Sequence, residues 1–243
     1  MYCKDIMIDR KEVISVTSDY TLSKALDRMD LYGFRTLPVV NYGRYLGVID
    51  RNTIYEHIYI RRDIDLDVAI VSDVMLTNIQ QVYGNDIIEK ACVAFYDQRY
   101  QFVPVLMDDT EDQFMGIIPI NLLLDIFANS LGLGQPAHRL TLEMTDYKGQ
   151  ITTLTRQLLQ ANANITSFVT VMHRNTRRVE GDPKVQIVVK FEGDLEDALT
   201  ACRAAGAVVT HIDRYDVLQR KPGSRVLPAF LFPQLVPPEE SKE

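Results

Sequence analysis

The sequence predicts a chain of mixed α/β and α+β class, in which two copies of a small α/β unit precede a ferredoxin-like βαββαβ domain. Residues 35–40 and 47–50 have the β-branched composition of two short buried strands joined by a polar turn. The same pattern returns at residues 101–106 and 116–119, so the unit is repeated. After residue 138 the pattern changes to alternating strands and amphipathic helices in a new order.

The first repeat is predicted to run strand, helix, strand, strand, helix. A β-branched run at residues 13–16 predicts its opening strand. Thr21 is placed to cap the first helix and Gly33 to end it. The helix itself is predicted from apolar residues at helical spacing: Leu22, Ala25, Leu26 and Met29. A turn at residues 41–44 joins the two strands, and a second helix is expected to begin near Asn52.

The second repeat follows the first at a nearly constant offset. Pro38 matches Pro104 at an offset of 66 residues, and Gly47 matches Gly116 at 69, so the second hairpin loop is three residues longer. That loop has four acids within residues 108–112, which fits either a solvated turn or a divalent-cation site. A helix from residue 121 to about residue 131 is predicted to close the repeat.

The last third of the chain predicts a separate domain and a tail. Strands are expected at residues 139–145, 165–172, 185–191 and 207–213, with one helix after residue 149 and another capped by Asp194. The tail has five of the ten prolines and is expected to pack on the body or on a dimer partner, or else to remain free. The predicted divisions are 1–66, 67–131, a linker at 132–138, 139–215 and a proline-rich tail at 216–243.

Composition excludes several functional classes. A net charge of −7 and a pI near 5.2 argue against a nucleic-acid-binding surface. The three cysteines are odd in number and without CxxC spacing, and the four histidines have no ligand spacing, so neither a disulfide framework nor a metal site is expected. We find no catalytic motif, signal core or membrane-length apolar run. The expectation is a cytoplasmic protein that is not an enzyme and binds neither membranes nor nucleic acid.

The repeated landmarks carry a family resemblance. Asp5-x-Met7 and Asp73-x-Met75, with the Leu/Val-Pro-Val strands and the glycine-led strands, resemble a tandem pair of CBS domains, a Bateman module, across residues 1–131. Residues 139–215 resemble an ACT domain, with Asp146-x-x-Gly149 at the family's Asp-x-Pro-Gly turn and Lys148 in place of the proline. This order is similar to that of the acetoin-utilisation accessory (AcuB-like) family. The resemblance implies a non-catalytic, ligand-sensing homodimer that regulates a partner enzyme.

The resemblance also implies where a ligand binds. CBS domains usually hold ribose and phosphate with a Ser or Thr three residues after the glycine and an Asp six after it. Here Asp50 and Thr53 occupy these positions in reversed order, and Pro119 and Leu122 occupy them in the second repeat. The implied ligand is AMP, ATP or cyclic di-AMP. The candidate nucleotide-binding residues are Thr17, Arg35, Leu37, Pro38, Asp50, Arg51, Thr53, Val82, Arg99, Gln101, Val103, Pro104 and Ile118.

Three alternatives stay open. The arginines of this set suit a phosphate by their planar fork, but each is also explained as a surface charge on a strand end. The turn Asp146, Tyr147, Lys148 and Gly149 either binds an amino acid at a helix N-terminus or only connects a strand to a helix. The third alternative is that the chain binds no ligand and serves as a dimeric scaffold for a partner enzyme.

Overall fold

The structure, a computed structural model, describes residues 1–62, 64–96, 100–108, 113–132, 136–171 and 184–214. These residues form two compact units, 1–124 and 125–214. The tail at 216–243, Arg99 and most of the acidic loop lie outside the described residues.

The first unit holds the two repeats. In the first repeat the elements are α1 (Cys3–Ile6), β1 (Ile8–Asp9), α2 (Leu22–Tyr32), β2 (Thr36–Asn41), β3 (Arg44–Asp50), α3 (Arg51–Tyr55) and a π-helical continuation (Glu56–Arg61). In the second they are α4 (Val71–Val74), β4 (Val82–Tyr83), α5 (Ile88–Tyr96), β5 (Phe102–Leu106), β6 (Phe114–Pro119) and α6 (Ile120–Ser130).

Local sequence signals explain the boundaries of the first repeat. The Thr21 hydroxyl accepts the Lys24 N–H, and Gly33 ends α2 in a left-handed conformation with φ of 70°, so both predicted caps are confirmed. The hairpin β2–β3 turns at Tyr42 and Gly43, whose positive φ values of 50° and 83° are those of a type I′ turn. The predicted strand at residues 13–16 is wrong in extent, because only Val16 forms a bridge, to Val39.

The two repeats exchange their opening strands. β1 pairs antiparallel with β6 of the second repeat, Ile8 lying opposite Ile117. Reciprocally, Leu76 of the second repeat pairs with Val48 on β3 of the first. The first unit therefore contains a four-stranded sheet in the order β1-β6-β5-β4 and the hairpin β2–β3, and each repeat completes the other.

The segments before these strands follow the same symmetry. The Cys3 N–H donates to the carbonyl of Asp86 at 2.9 Å, and the Val71 N–H donates to the carbonyl of Tyr20 at 2.8 Å. Asp5 accepts the Tyr2 N–H, as Asp73 accepts the Ile70 N–H, each at 3.0 Å. The repeated aspartate of the sequence is thus a helix cap that shapes the exchanged segment.

An apolar cluster joins the two repeats. It consists of buried side chains from both: Tyr45, Val48, Ile79, Phe102, Leu106 and Phe114. The rings of Tyr45 and Phe114 stack with centroids 5.9 Å apart and planes inclined by 17°. This packing fixes the position of one hairpin against the other.

The second unit has the predicted ferredoxin-like topology. Its elements after α6 are β7 (His138–Thr145), α7 (Gln150–Gln160), β8 (Asn164–Val171), β9 (Lys184–Glu192), α8 (Leu195–Ala204) and β10 (Val208–Arg214). The sheet is antiparallel in the order β10-β7-β9-β8. Alternate residues of β7 pack with both helices in one core, which confirms the fold class; the core includes Leu140, Leu142, Met144, Leu154, Leu158, Ala198 and Leu199. Asp194 caps α8, as predicted, by accepting the N–H groups of Glu196 and Asp197.

Candidate functional site

The open end of the first hairpin brings polar side chains together at the start of α3. Thr36 at the beginning of β2 lies opposite Asp50 at the end of β3. The Thr36 hydroxyl donates to Asp50 Oδ2 at 2.7 Å, and the Asn52 N–H donates to Asp50 Oδ1 at 2.8 Å. Asp50 therefore caps α3, and each of its carboxylate oxygens already accepts one hydrogen bond.

Two arginines flank this aspartate. The Arg51 N–H donates to the carbonyl of Arg35 at 2.9 Å, so the two residues are neighbours across the strand ends. Arg35 is exposed, and among the described residues it forms no ion pair. We call Arg35, Thr36, Asp50 and Arg51 the first-repeat site. It combines two guanidinium groups with a carboxylate at a helix N-terminus.

The Arg51 guanidinium already forms one ion pair. Its Nη2 lies 2.5 Å from Asp30 Oδ1, near the end of α2, while its Nε is buried with no partner among the described residues. Burial acts to lower the pKa of Arg51, but hydrogen bonds and charge interactions with Asp30 and Tyr55 outweigh it, so the net pKa is raised. Arg51 remains a cation with a donor to spare.

The loop that precedes α2 is fixed against β2. The Ser18 N–H donates to Asn41 Oδ1 at 3.0 Å, and the Asn41 amide donates back to the Ser18 hydroxyl at 2.7 Å. The Thr17 hydroxyl donates to Asp19, so the hydroxyl of this predicted site residue is engaged within its own loop. Thr17 is half-buried at the start of this loop.

The second repeat has the same backbone arrangement without the polar groups. The Ile120 N–H donates to the carbonyl of Gln101 at 3.0 Å, as Arg51 does to Arg35. Gln101 is exposed in place of Arg35, and Pro119 stands in place of Asp50. The two repeats are therefore equivalent in fold and different in chemistry at these positions.

Most of the other predicted nucleotide-binding residues have buried side chains. Thr53 is half-buried on α3 and remains accessible. The buried set is Leu37, Pro38, Val82, Val103, Pro104 and Ile118. Arg99 lies outside the described residues.

Sequence reasoning missed two neighbours of the predicted site residues, Thr36 and Asp30. Thr36 faces Asp50 because a β-bulge between Val39 and Val40 shifts the hairpin register by one residue, whereas the two-residue turn alone would place Ile49 opposite Thr36. Asp30 lies near the end of α2 and reaches Arg51 through the packing of α2 beside α3. No spacing rule indicates that contact.

In the second unit, the turn before α7 is exposed. Asp146, Tyr147, Lys148 and Gly149 are all accessible, and Gly149 adopts a φ of 97° at the N-terminus of α7. The Gln150 amide donates to Asp146 Oδ1 at 3.2 Å, whereas its Oε1 is buried with no partner among the described residues.

A groove of about 650 Å³ lies elsewhere on this unit, between the end of α7 and the start of β8. Its lining includes Thr155, Arg156, Asn162 and Asn164 and none of the four turn residues.

None of the helices in the described ranges has the length and apolar character needed to cross a membrane. Within the same residues, no group of three or more His, Cys, Asp or Glu side chains is arranged to hold a metal ion.

Comparison with known proteins identifies the repeats. The CBS domain model matches residues 3–60 and again residues 71–129. A CBS domain-containing protein of Bacillus anthracis is 25% identical with a TM-score of 0.47, over 53% of this chain and 94% of that one. A CBS domain pair/ACT domain protein of Thermotoga maritima is 22% identical with a TM-score of 0.45, over 54% and 99%.

A third similar structure is CBSX2 of Arabidopsis thaliana, solved in complex with AMP. It is 17% identical with a TM-score of 0.46, over 53% of this chain and 96% of that one. The family model matches the chain twice, once within each repeat. Residues 3–129 of this chain are therefore a tandem pair of CBS domains.

Proposed function

We propose that this chain is a non-catalytic, ligand-sensing regulator whose first CBS repeat binds an adenine nucleotide, either AMP, ATP or cyclic di-AMP. CBS-domain pairs are regulatory ligand sensors. The observation that carries the proposal is the first-repeat site, where Arg35 and Arg51 flank a capped helix start.

The chemistry of the site suits a nucleotide. Guanidinium groups bind phosphate through paired N–H donors, and Arg35 is exposed and without an acidic partner among the described residues. Asp50 accepts one hydrogen bond on each oxygen, and each oxygen keeps a lone pair that can accept a ribose hydroxyl. The site thus offers donors for phosphate and acceptors for ribose.

The difference between the repeats supports a single nucleotide per chain. Gln101 and Pro119 have neither the charge of Arg35 nor the carboxylate of Asp50. The backbone at the two positions is equivalent, so a ligand that is held by charge binds the first repeat in preference to the second.

Regulation then follows if two arrangements of the repeats bind the nucleotide with different affinities. A nucleotide that binds one arrangement of the exchanged repeats better than another shifts the population towards that arrangement. We propose that a homodimer relays this shift to a partner enzyme. Apolar side chains are exposed on the last helix of each repeat, including Tyr59 after α3 and Leu124 on α6, and such residues suit a symmetric interface.

Isothermal titration calorimetry of the full chain with AMP, ATP and cyclic di-AMP tests the proposal. We expect saturable binding of at least one of them with one site per chain. Arg35→Ala should weaken binding at least tenfold, because it removes an exposed charged donor. Gln101→Ala is the matched control at the equivalent position and should have no effect.

Two results would count against the proposal. If Arg35→Ala and Gln101→Ala changed the nucleotide affinity equally, the first-repeat site would not be the binding site. No binding of any adenine compound would leave the scaffold hypothesis, in which the dimer contacts a partner enzyme without a ligand.

A second candidate function is amino-acid sensing by the C-terminal unit, which we propose to be an ACT domain covering residues 139–215. The observation in its favour is the buried, unpaired Oε1 of Gln150 beside Asp146. An ammonium group is a donor that would satisfy this oxygen, and N–H groups in the first turn of α7 would donate to a carboxylate. A thermal-shift panel of free amino acids tests it, since a ligand at 100 times its Kd adds about 2.7 kcal/mol of stability.

A further inference from the structure

The ion pair between Arg51 and Asp30 bears on which nucleotide the first-repeat site prefers. Arg51 Nη2 lies 2.5 Å from Asp30 Oδ1, and the Asp30 side chain is 66% exposed against 22% for Arg51. Asp30 is therefore a solvent-facing carboxylate beside the guanidinium proposed to bind phosphate. Its negative charge acts on any anion that approaches Arg51.

The charges of the site sum to zero once Asp30 is included. Arg35 and Arg51 supply two positive charges, and Asp30 and Asp50 supply two negative charges. A pocket that selects a triphosphate needs an excess of positive charge, because three phosphate groups carry three to four negative charges. A balanced set of charges favours a ligand with one phosphate group or a neutral adenine compound.

We infer that Asp30 is a specificity residue of the first-repeat site, which favours nucleotides with one phosphate group over those with three. This inference rests on the function proposed above and names the preferred ligand class. Asp30 acts by Coulombic repulsion of the additional phosphates and by holding one edge of the Arg51 guanidinium. The exposed guanidinium of Arg35 remains as the donor for a single phosphate.

The test is the ratio of AMP to ATP affinity in the full chain, measured by calorimetry without divalent cations. Wild type should bind AMP more tightly than ATP. Asp30→Asn should improve the affinity for ATP about fivefold more than the affinity for AMP. A unit charge roughly 6 Å from a phosphate contributes about this much when the effective dielectric constant lies between those of protein and water. Asp27→Asn, an exposed neighbour on α2 with no ion pair among the described residues, is the control and should leave the ratio unchanged.

Raising the salt concentration gives a second readout. The gain of Asp30→Asn for ATP should shrink as ionic strength rises, because exposed charges are screened. An equal gain for AMP and ATP, or an equal shift in Asp27→Asn, would overturn the inference while the proposed nucleotide site stands. No binding of either nucleotide by wild type would overturn both.

Discussion

The carbonyl oxygen of Ile8 lies 1.9 Å from the position that a Cβ on Gly116 would occupy. The same relationship recurs in the first repeat, where the carbonyl of Leu76 lies 2.3 Å from the Cβ position of Gly47. These two glycines lie within the last strand of each repeat. They are required because the exchanged strand of the other repeat passes directly over them.

Gly116→Ala should therefore destabilise the first unit severely, by about 3–5 kcal/mol, because the new methyl group collides with backbone that cannot move aside. Urea unfolding followed by circular dichroism measures this loss. Gly206→Ala is the control, because no atom lies within 4 Å of its Cβ position. Gly206→Ala should cost only about 1 kcal/mol of stability, which is the strain of placing alanine at a φ of 79°. A loss in Gly116→Ala no larger than that in Gly206→Ala would mean that the exchanged strand can move aside and does not require a glycine at this position.

Asp50→Ala should separate two roles of one side chain. The variant loses the hydrogen bonds from Thr36 and from the Asn52 N–H, which should cost about 1–2 kcal/mol of stability. Asp50→Asn keeps acceptor and capping capacity but loses the charge. We expect Asp50→Asn to unfold close to wild type and yet to bind AMP more weakly, in calorimetry at a temperature where both variants are folded. Equal AMP affinity in Asp50→Asn and wild type would restrict Asp50 to capping.

Much of the fold was accessible from the sequence because its signals are local. The caps at Thr21 and Gly33, the hairpin turn and the succession of helices and strands in the second unit follow from residue types within single elements. The strand exchange was not accessible, because pairing Ile8 with Ile117 depends on how two repeats pack. For the same reason, the sequence indicated Asp50 and Arg51 as site residues but gave no sign of their partners.

Tyr45→Phe should leave the first unit as stable as wild type or stabilise it by about 1–2 kcal/mol. The Tyr45 hydroxyl is buried with no partner among the described residues, so its removal relieves a desolvation cost. The ring and its stacking on Phe114 are retained. Burial, with a smaller contribution from Tyr100, raises the pKa of this phenol far above its usual value. Tyr45→Ala should cost about 3–5 kcal/mol, because it leaves a cavity between the repeats.

Urea unfolding of both Tyr45 variants separates the contribution of the hydroxyl to stability from that of the ring. A substantial loss in Tyr45→Phe would show that the hydroxyl makes a hydrogen bond in solution, for example to a buried water. A small loss in Tyr45→Ala would show that the cluster between the repeats contributes little to their association.

Lys190→Met should change how the stability of the second unit depends on pH. Lys190 is 3% exposed on β9, and its Nζ donates to the carbonyl of Gly132 at 2.8 Å. Burial, together with the charge of Arg139, lowers the pKa of Lys190 below its ordinary value of 10.5. The folded state thus binds the proton less tightly than the unfolded state, so protonation opposes folding at neutral pH. This penalty is relieved as the pH rises from the folded-state pKa towards 10.5.

Thermal unfolding of wild type and Lys190→Met across this pH range isolates the contribution of Lys190, because all other titrating groups are shared. We expect the Tm of wild type to rise relative to that of Lys190→Met as the pH increases. Lys184→Met, on the same strand but at an exposed lysine, should follow wild type. The opposite slope, with wild type losing stability relative to Lys190→Met, would mean that the hydrogen bond to Gly132 stabilises the ammonium by more than burial destabilises it.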